Sequence, residues 1–188
     1  YVKYIDVKGE YHTLHSLTAS TPQDIIINNK NTNQKILLNP RYKDTNTSSL
    51  YSFDDKGTLD NIEDDSTIEI TKVYDQDNKE ITFAASPLLR TMVQDKNGVL
   101  WIGTTEGILL INDPQKMFDN NFRVHRIKIP RNDGTGLADY LLGTEEIKAI
   151  AVDGANRKWI GTAASGVYLV SEDGLETIHH FTAENSPL

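Results

Sequence analysis

Apolar residues along this chain fall in short runs of four to six, set apart by turn-forming residues, without the three-to-four-residue period of a helix. Two stretches repeat one order. Met92-Val93-Gln94-Asp95-Lys96-Asn97-Gly98-Val99-Leu100-Trp101-Ile102-Gly103-Thr104 aligns without a gap on Ile150-Ala151-Val152-Asp153-Gly154-Ala155-Asn156-Arg157-Lys158-Trp159-Ile160-Gly161-Thr162. A turn holding Gly107 or Gly166 follows, then a second apolar run, Ile108–Ile111 or Val167–Val170. The pattern predicts a strand ending in Asp, a tight turn, a strand carrying Trp, another turn and a third strand. Gly98 and Asn156 close the first turn, and both residue types tolerate the positive φ that a tight hairpin demands. Runs that are apolar throughout predict strands buried on both faces.

A degenerate third copy lies upstream. Asp24–Asn28, Gln34–Asn39 and Leu50–Phe53 read as its strands, with Ile36 or Leu37 in place of Trp. More polar segments, Ile68–Tyr74, Phe122–Ile129 and Thr177–Thr182, read as a fourth, outer strand in each copy. Ile68, Ile70 and Lys72 would share one side of the first of these. Tyr1–Asp6 and Tyr11–Leu17 read as two strands of a preceding unit. The total is fourteen strands in antiparallel units of four, repeated about every fifty residues. Such repetition predicts an all-β fold, a partial β-propeller of about three and a half four-stranded blades, taken as part of a seven-bladed ring. The expected boundaries are 1–18 for the outer strands of a preceding blade, 24–75 for the degenerate blade, then 88–129 and 146–182. A β-sandwich would not repeat one strand-turn-Trp pattern at fixed spacing.

Asp95-x-x-Gly98-x-Leu100-Trp101-Ile102-Gly103-Thr104-x-x-Gly107 resembles the blade signature of two-component regulator propellers. The resemblance covers most of residues 24–188. It implies either the periplasmic sensor region of a hybrid two-component system of Bacteroides-like bacteria, or a surface propeller protein associated with type IX secretion. Lys128–Gly136 and Glu176–Phe181 resemble the second group more, as does the acidic loop from Phe53 to Thr58. Both placements imply a location outside the cytoplasm, in the periplasm or at the outer-membrane surface. They also imply a noncatalytic role in binding a glycan or a cell-surface protein, with the remainder of the propeller as a further partner. An enzyme, such as a propeller lyase or hydrolase, would need site residues from outside this chain.

Charge and composition narrow the picture further. The formal charge is −8, which disfavours nucleic acid, because phosphate contacts need clustered Lys and Arg. The basic residues from Arg123 to Arg131 alternate with apolar ones and read as the outward face of a strand. No apolar run reaches the ~20 residues of a membrane-spanning helix. The chain has no cysteine, so disulfides and thiolate chemistry are excluded. It opens on Tyr1 rather than Met, so its natural N-terminus is expected to lie upstream.

Candidate chemistry is sparse. Trp101 and Trp159 occupy identical repeat positions and are expected to pack between blades. His179 and His180 are adjacent in a strand and point to opposite faces, and His12, His15 and His125 show no ligand spacing. No cofactor is expected. Asp54, Asp60 and Asp64 are candidate calcium ligands in an oxygen-rich loop, though the EF-hand order is absent. The connection from Arg131 to Glu146 is longer than a minimal link and carries Leu137, Tyr140, Leu141 and Leu142. Arg131, Asp133, Asp139 and Tyr140 are its candidate ligand-binding residues. The alternative is that this segment is a short helix capping the neighbouring blade.

Overall fold

The computed structural model describes residues 2–5, 8–15, 22–41, 46–59 and 61–187. Strands β1 (Val2–Ile5) and β2 (Tyr11–His15) form an antiparallel pair. A four-stranded antiparallel meander follows, made of β3 (Asp24–Ile27), β4 (Gln34–Asn39), β5 (Ser49–Asp54) and β6 (Ser66–Ile70). A side hairpin joins β7 (Lys72–Tyr74) to β8 (Glu80–Thr82). The second sheet holds β9 (Leu89–Gln94), β10 (Leu100–Thr104) and β11 (Gly107–Ile111), followed by a 3-10 turn at Pro114–Phe118. A second hairpin pairs β12 (Lys128–Pro130) with β13 (Ala138–Tyr140). The last sheet runs in order through β14 (Ile147–Val152), β15 (Lys158–Thr162), β16 (Val167–Val170) and β17 (Thr177–Phe181).

The repeated sequence folds into a repeated turn. The Asp95 N–H bonds Val99 O at 2.9 Å, the Asp153 N–H bonds Arg157 O at 3.0 Å, and the Asn28 N–H bonds Gln34 O at 3.0 Å. Each aspartate also turns its Oδ1 back onto the hairpin. Asp95 accepts from the Asn97 and Val99 amides, and Asp153 from those of Ala155 and Arg157. Gly98 (φ 89°) and Asn156 (φ 62°) take the left-handed position the sequence assigned to them. The register places Ile36, Trp101 and Trp159 at one equivalent position, opposite Ile26, Val93 and Ala151.

The sheets stack face to face, with β9 lying against both β4 and β14. Ile36, Leu38, Leu50 and Ile70 of the first sheet pack on Leu89, Met92, Leu100 and Ile102 of the second. Trp101, Ile108 and Leu110 on the other face of the second sheet pack on Ile147, Ile150, Ile160 and Val170 of the third. Within this second layer sits a fully buried lysine. Lys158 Nζ donates to Asp95 Oδ2 at 2.9 Å, which also accepts from Trp101 Nε1 at 3.2 Å. The same ammonium lies 4.5 Å from the Trp101 ring centroid. Neighbouring turns are tied too: Asn29 Nδ2 donates to Asp95 O at 2.9 Å, and the Lys96 N–H to Asn156 Oδ1 at 3.0 Å.

Three expectations need correction. The stretch Ile68–Tyr74 is not one strand. It breaks at Thr71, whose carbonyl takes the Phe83 N–H, and Lys72 becomes exposed while Val73 is buried. Residues 122–129 do not complete the second sheet as a fourth strand. Only His125 pairs with Leu110, because Val124 donates to Tyr74 O and the backbone of Arg126 is held at both ends by the Gln76 side chain. Trp101 is 2% exposed and packs between sheets as expected, whereas Trp159 is 36% exposed and stacks on Phe181 at 5.6 Å.

Candidate functional site

The segment from Arg131 to Glu146 contains no helix. Its first part is the tip and second strand of the β12–β13 hairpin, and residues 141–145 form turns. Gly134 (φ 77°) and Gly136 (φ 70°) provide the left-handed positions at its tip. Arg131 Nε donates to Asp139 Oδ2 at 2.7 Å across the hairpin. The hydrogen bond and charge of Arg131 hold the Asp139 carboxyl below its ordinary range, and Asp139 raises Arg131 in return. Asp133 accepts from the hydroxyl and the N–H of Thr135 at 2.6 and 3.0 Å, which also lowers its pKa. Three of the four candidate ligand residues therefore have partners within the hairpin itself. Leu137 stands out at its tip, 57% exposed, while Leu141 is buried in the layer around Trp101.

The fourth candidate, Tyr140, leads to a residue that the apolar–polar pattern does not reveal. The Arg126 guanidinium lies over its ring at 3.7 Å from the centroid. Arg126 is only 9% exposed, and its Nε is buried without a hydrogen-bond partner. The alternation from Arg123 to Arg131 concealed this, because the strand it implied does not form there. The sequence holds only a faint local sign, the apolar Val124 and Ile127 on either side, both of which are buried in the fold. Beside it, the β7–β8 turn reaches across to the hairpin. Lys128 Nζ pairs with Asp77 Oδ2 at 2.6 Å, and its hydrogen bond holds Asp77 below the usual carboxylate range.

The acidic loop is wired differently. Asp54 accepts from Asn31 Nδ2 at 2.8 Å and from the Lys56 N–H at 2.9 Å, while both Asp64 oxygens take the Thr58 hydroxyl at 2.9 Å. Asp60 lies outside the described residues. Among the described residues no group of three acidic or histidine side chains converges as a metal site. His180 stacks on Tyr168 at 3.9 Å and His179 contacts Phe181 at 5.7 Å, on opposite faces of β17. The side chains of His12 and His15 lie outside the described residues.

Comparison with known proteins adds a local match and a fold. Residues 85–106, covering β9, β10 and the turn after them, match the two-component regulator propeller model. A solved structure superposes on 96% of this chain with a TM-score of 0.80 at 23% identity. It is PorZ of Porphyromonas gingivalis, described as an essential bacterial surface component of the type-IX secretion system. The chain spans 24% of that structure, and the likeness establishes a propeller fold. A second structure, an extracellular domain assigned to a hybrid two-component system of B. thetaiotaomicron, gives a TM-score of 0.49 at 16% identity over 94% of this chain and 18% of its own. No curated protein matched. Among the described residues no helix is long and apolar enough to cross a membrane.

Proposed function

We propose that this propeller is a noncatalytic recognition module outside the cytoplasm, binding a glycan or protein partner as part of a type IX secretion-associated surface protein. Residues 24–75, 88–129 and 146–182 act as its blades, and 1–18 as the outer strands of the one before. The β12–β13 hairpin carries the reading. It is an addition to the sheet framework, with its own ion pair and an exposed Leu137, mounted on a buried foot at Leu141. A projecting loop on a rigid scaffold is the usual arrangement for binding. The superposition on PorZ supports the secretion-associated placement. The repeat at 85–106 supports a second reading, the ligand-sensing region of a hybrid two-component protein.

Binding to a glycan array and to surface-protein extracts tests the hairpin. Replacing residues 132–136 with a two-residue turn spares Leu141 and the sheets, and it should abolish the selected interaction. Unchanged binding would remove the hairpin from the proposal. The full reading frame separates the two placements: a transmembrane helix followed by kinase motifs would decide for the sensor.

A further inference from the structure

Between β8, the loop into β9 and the β10–β11 turn lies a cavity of about 330 Å³. Its charged lining residues are Lys79, Glu80, Glu106 and Arg126. Both carboxylates are engaged: Glu80 by Lys72 at 3.3 Å and the Tyr74 hydroxyl at 2.6 Å, Glu106 by the Ser86 hydroxyl. The cations are not. Among the described residues, no hydrogen bond or ion pair reaches the Lys79 ammonium or the Arg126 guanidinium, and Tyr140 holds the latter by its face alone. A buried donor without an acceptor is costly, and such orphans are rare in folded proteins, so this one marks a place for an acceptor. A guanidinium with free donors presents a fork that matches an oxyanion.

We propose that this cavity binds a hydroxylated monocarboxylate the size of a single sugar acid, its carboxylate on Arg126 and its hydroxyls toward Glu106 and Ser86. Lys72 already neutralises Glu80, so Lys79 and Arg126 against Glu106 leave the lining one positive charge, which a monoanion matches and a doubly charged phosphate exceeds. Glu106 and Ser86 supply acceptors for hydroxyl groups. The volume sits at the small end of ligand pockets. The competing fate for Arg126 is closure onto Asp75, whose Oδ2 is also buried without a partner.

Thermal unfolding of the 188-residue chain tests this, with D-glucuronate as probe and D-glucose and inorganic phosphate as controls. Glucuronate should raise the midpoint by about 3 °C at ten times its Kd, and the controls should not. Arg126→Met should erase the shift while leaving the unliganded midpoint unchanged or higher, because it removes a buried unpaired charge. Arg126→Lys keeps the charge without the fork and should weaken glucuronate about tenfold by calorimetry. The hairpin-tip replacement should leave the glucuronate shift intact, which separates this site from the proposal above. Absence of the shift, an equal shift in Arg126→Met or an equal shift with phosphate overturns the assignment. A marked fall in the unliganded midpoint of Arg126→Met also overturns it, by identifying Arg126 as the partner of Asp75.

Discussion

Lys158 is 0% exposed, and its ammonium would be prohibitive in that place without Asp95 and the Trp101 face. The clasp reaches from one sheet to the next, so its energy belongs to their docking. Removing one partner of a buried pair strands the other: Asp95→Asn should cost about 3–5 kcal/mol, read by urea unfolding. The double variant Asp95→Asn/Lys158→Met should recover part of that loss, giving a coupling of about 2 kcal/mol. Additive losses would show that the pair acts separately. Burial pushes the Asp95 carboxyl up, but the hydrogen bonds from Lys158, the Val99 amide and Trp101 outweigh it and leave the pKa lowered. A depressed carboxyl contributes stability above its unfolded pKa and loses it as pH falls through the folded one. Stability of the native chain should therefore drop below about pH 4, and Asp95→Asn should flatten that slope. The acid was legible in the sequence as a turn residue. Its second role was not, because the lysine it meets lies 63 positions away in another repeat.

At the scale of elements, the strands that repeat were readable because each has its own turn chemistry and a double-faced apolar run. What misled were the outer segments, whose pairing depends on partners elsewhere. Nothing in Phe122–Ile129 reveals that Gln76 will occupy both backbone groups of Arg126. Strand β7 was likewise hidden within the predicted strand at 68–74 and β8 went unread beyond it, though Asp75–Lys79 repeats the Asp95–Val99 turn, with the Asp75 N–H on Lys79 O at 3.0 Å. The turn after β10 shows how tightly elements are fitted. Gly107 has φ 81°, its N–H reaches Glu145 O at 2.9 Å, and a Cβ there would stand 2.8 Å from Leu142 O. Gly107→Ala combines a left-handed backbone with a backbone collision and should destabilise by about 2–4 kcal/mol. A denaturation midpoint matching the parent would mean that the 141–145 turn gives way freely.

Among the described residues, apolar side chains stand open on the outer faces of the first and last sheets. Ile25 and Ile27 are 59% and 57% exposed on the first sheet, and Trp159 with Phe181 lies on the outer face of the last. The repeat itself shows what such a face is shaped to receive. A Cβ on Gly103 would meet Ile147 of the next sheet at 2.6 Å, whereas at the equivalent Gly161 the nearest atoms are Ala149 of its own sheet at 3.9 Å. Gly103→Ala should therefore cost about 2–3 kcal/mol, and Gly161→Ala should be nearly neutral in this chain. Apolar sheet faces left open favour association. Copies of this chain should therefore associate, the Trp159 face of one meeting an apolar face of another, and light scattering should report a mass that rises with concentration. Trp159→Glu should shift that mass toward the monomer while costing under about 1 kcal/mol of folding stability, since the ring is already partly in water. A parent chain that scatters as a concentration-independent monomer would mean that these faces are satisfied without any partner sheet. The repeat logic drawn from Trp101 would then not extend to Trp159.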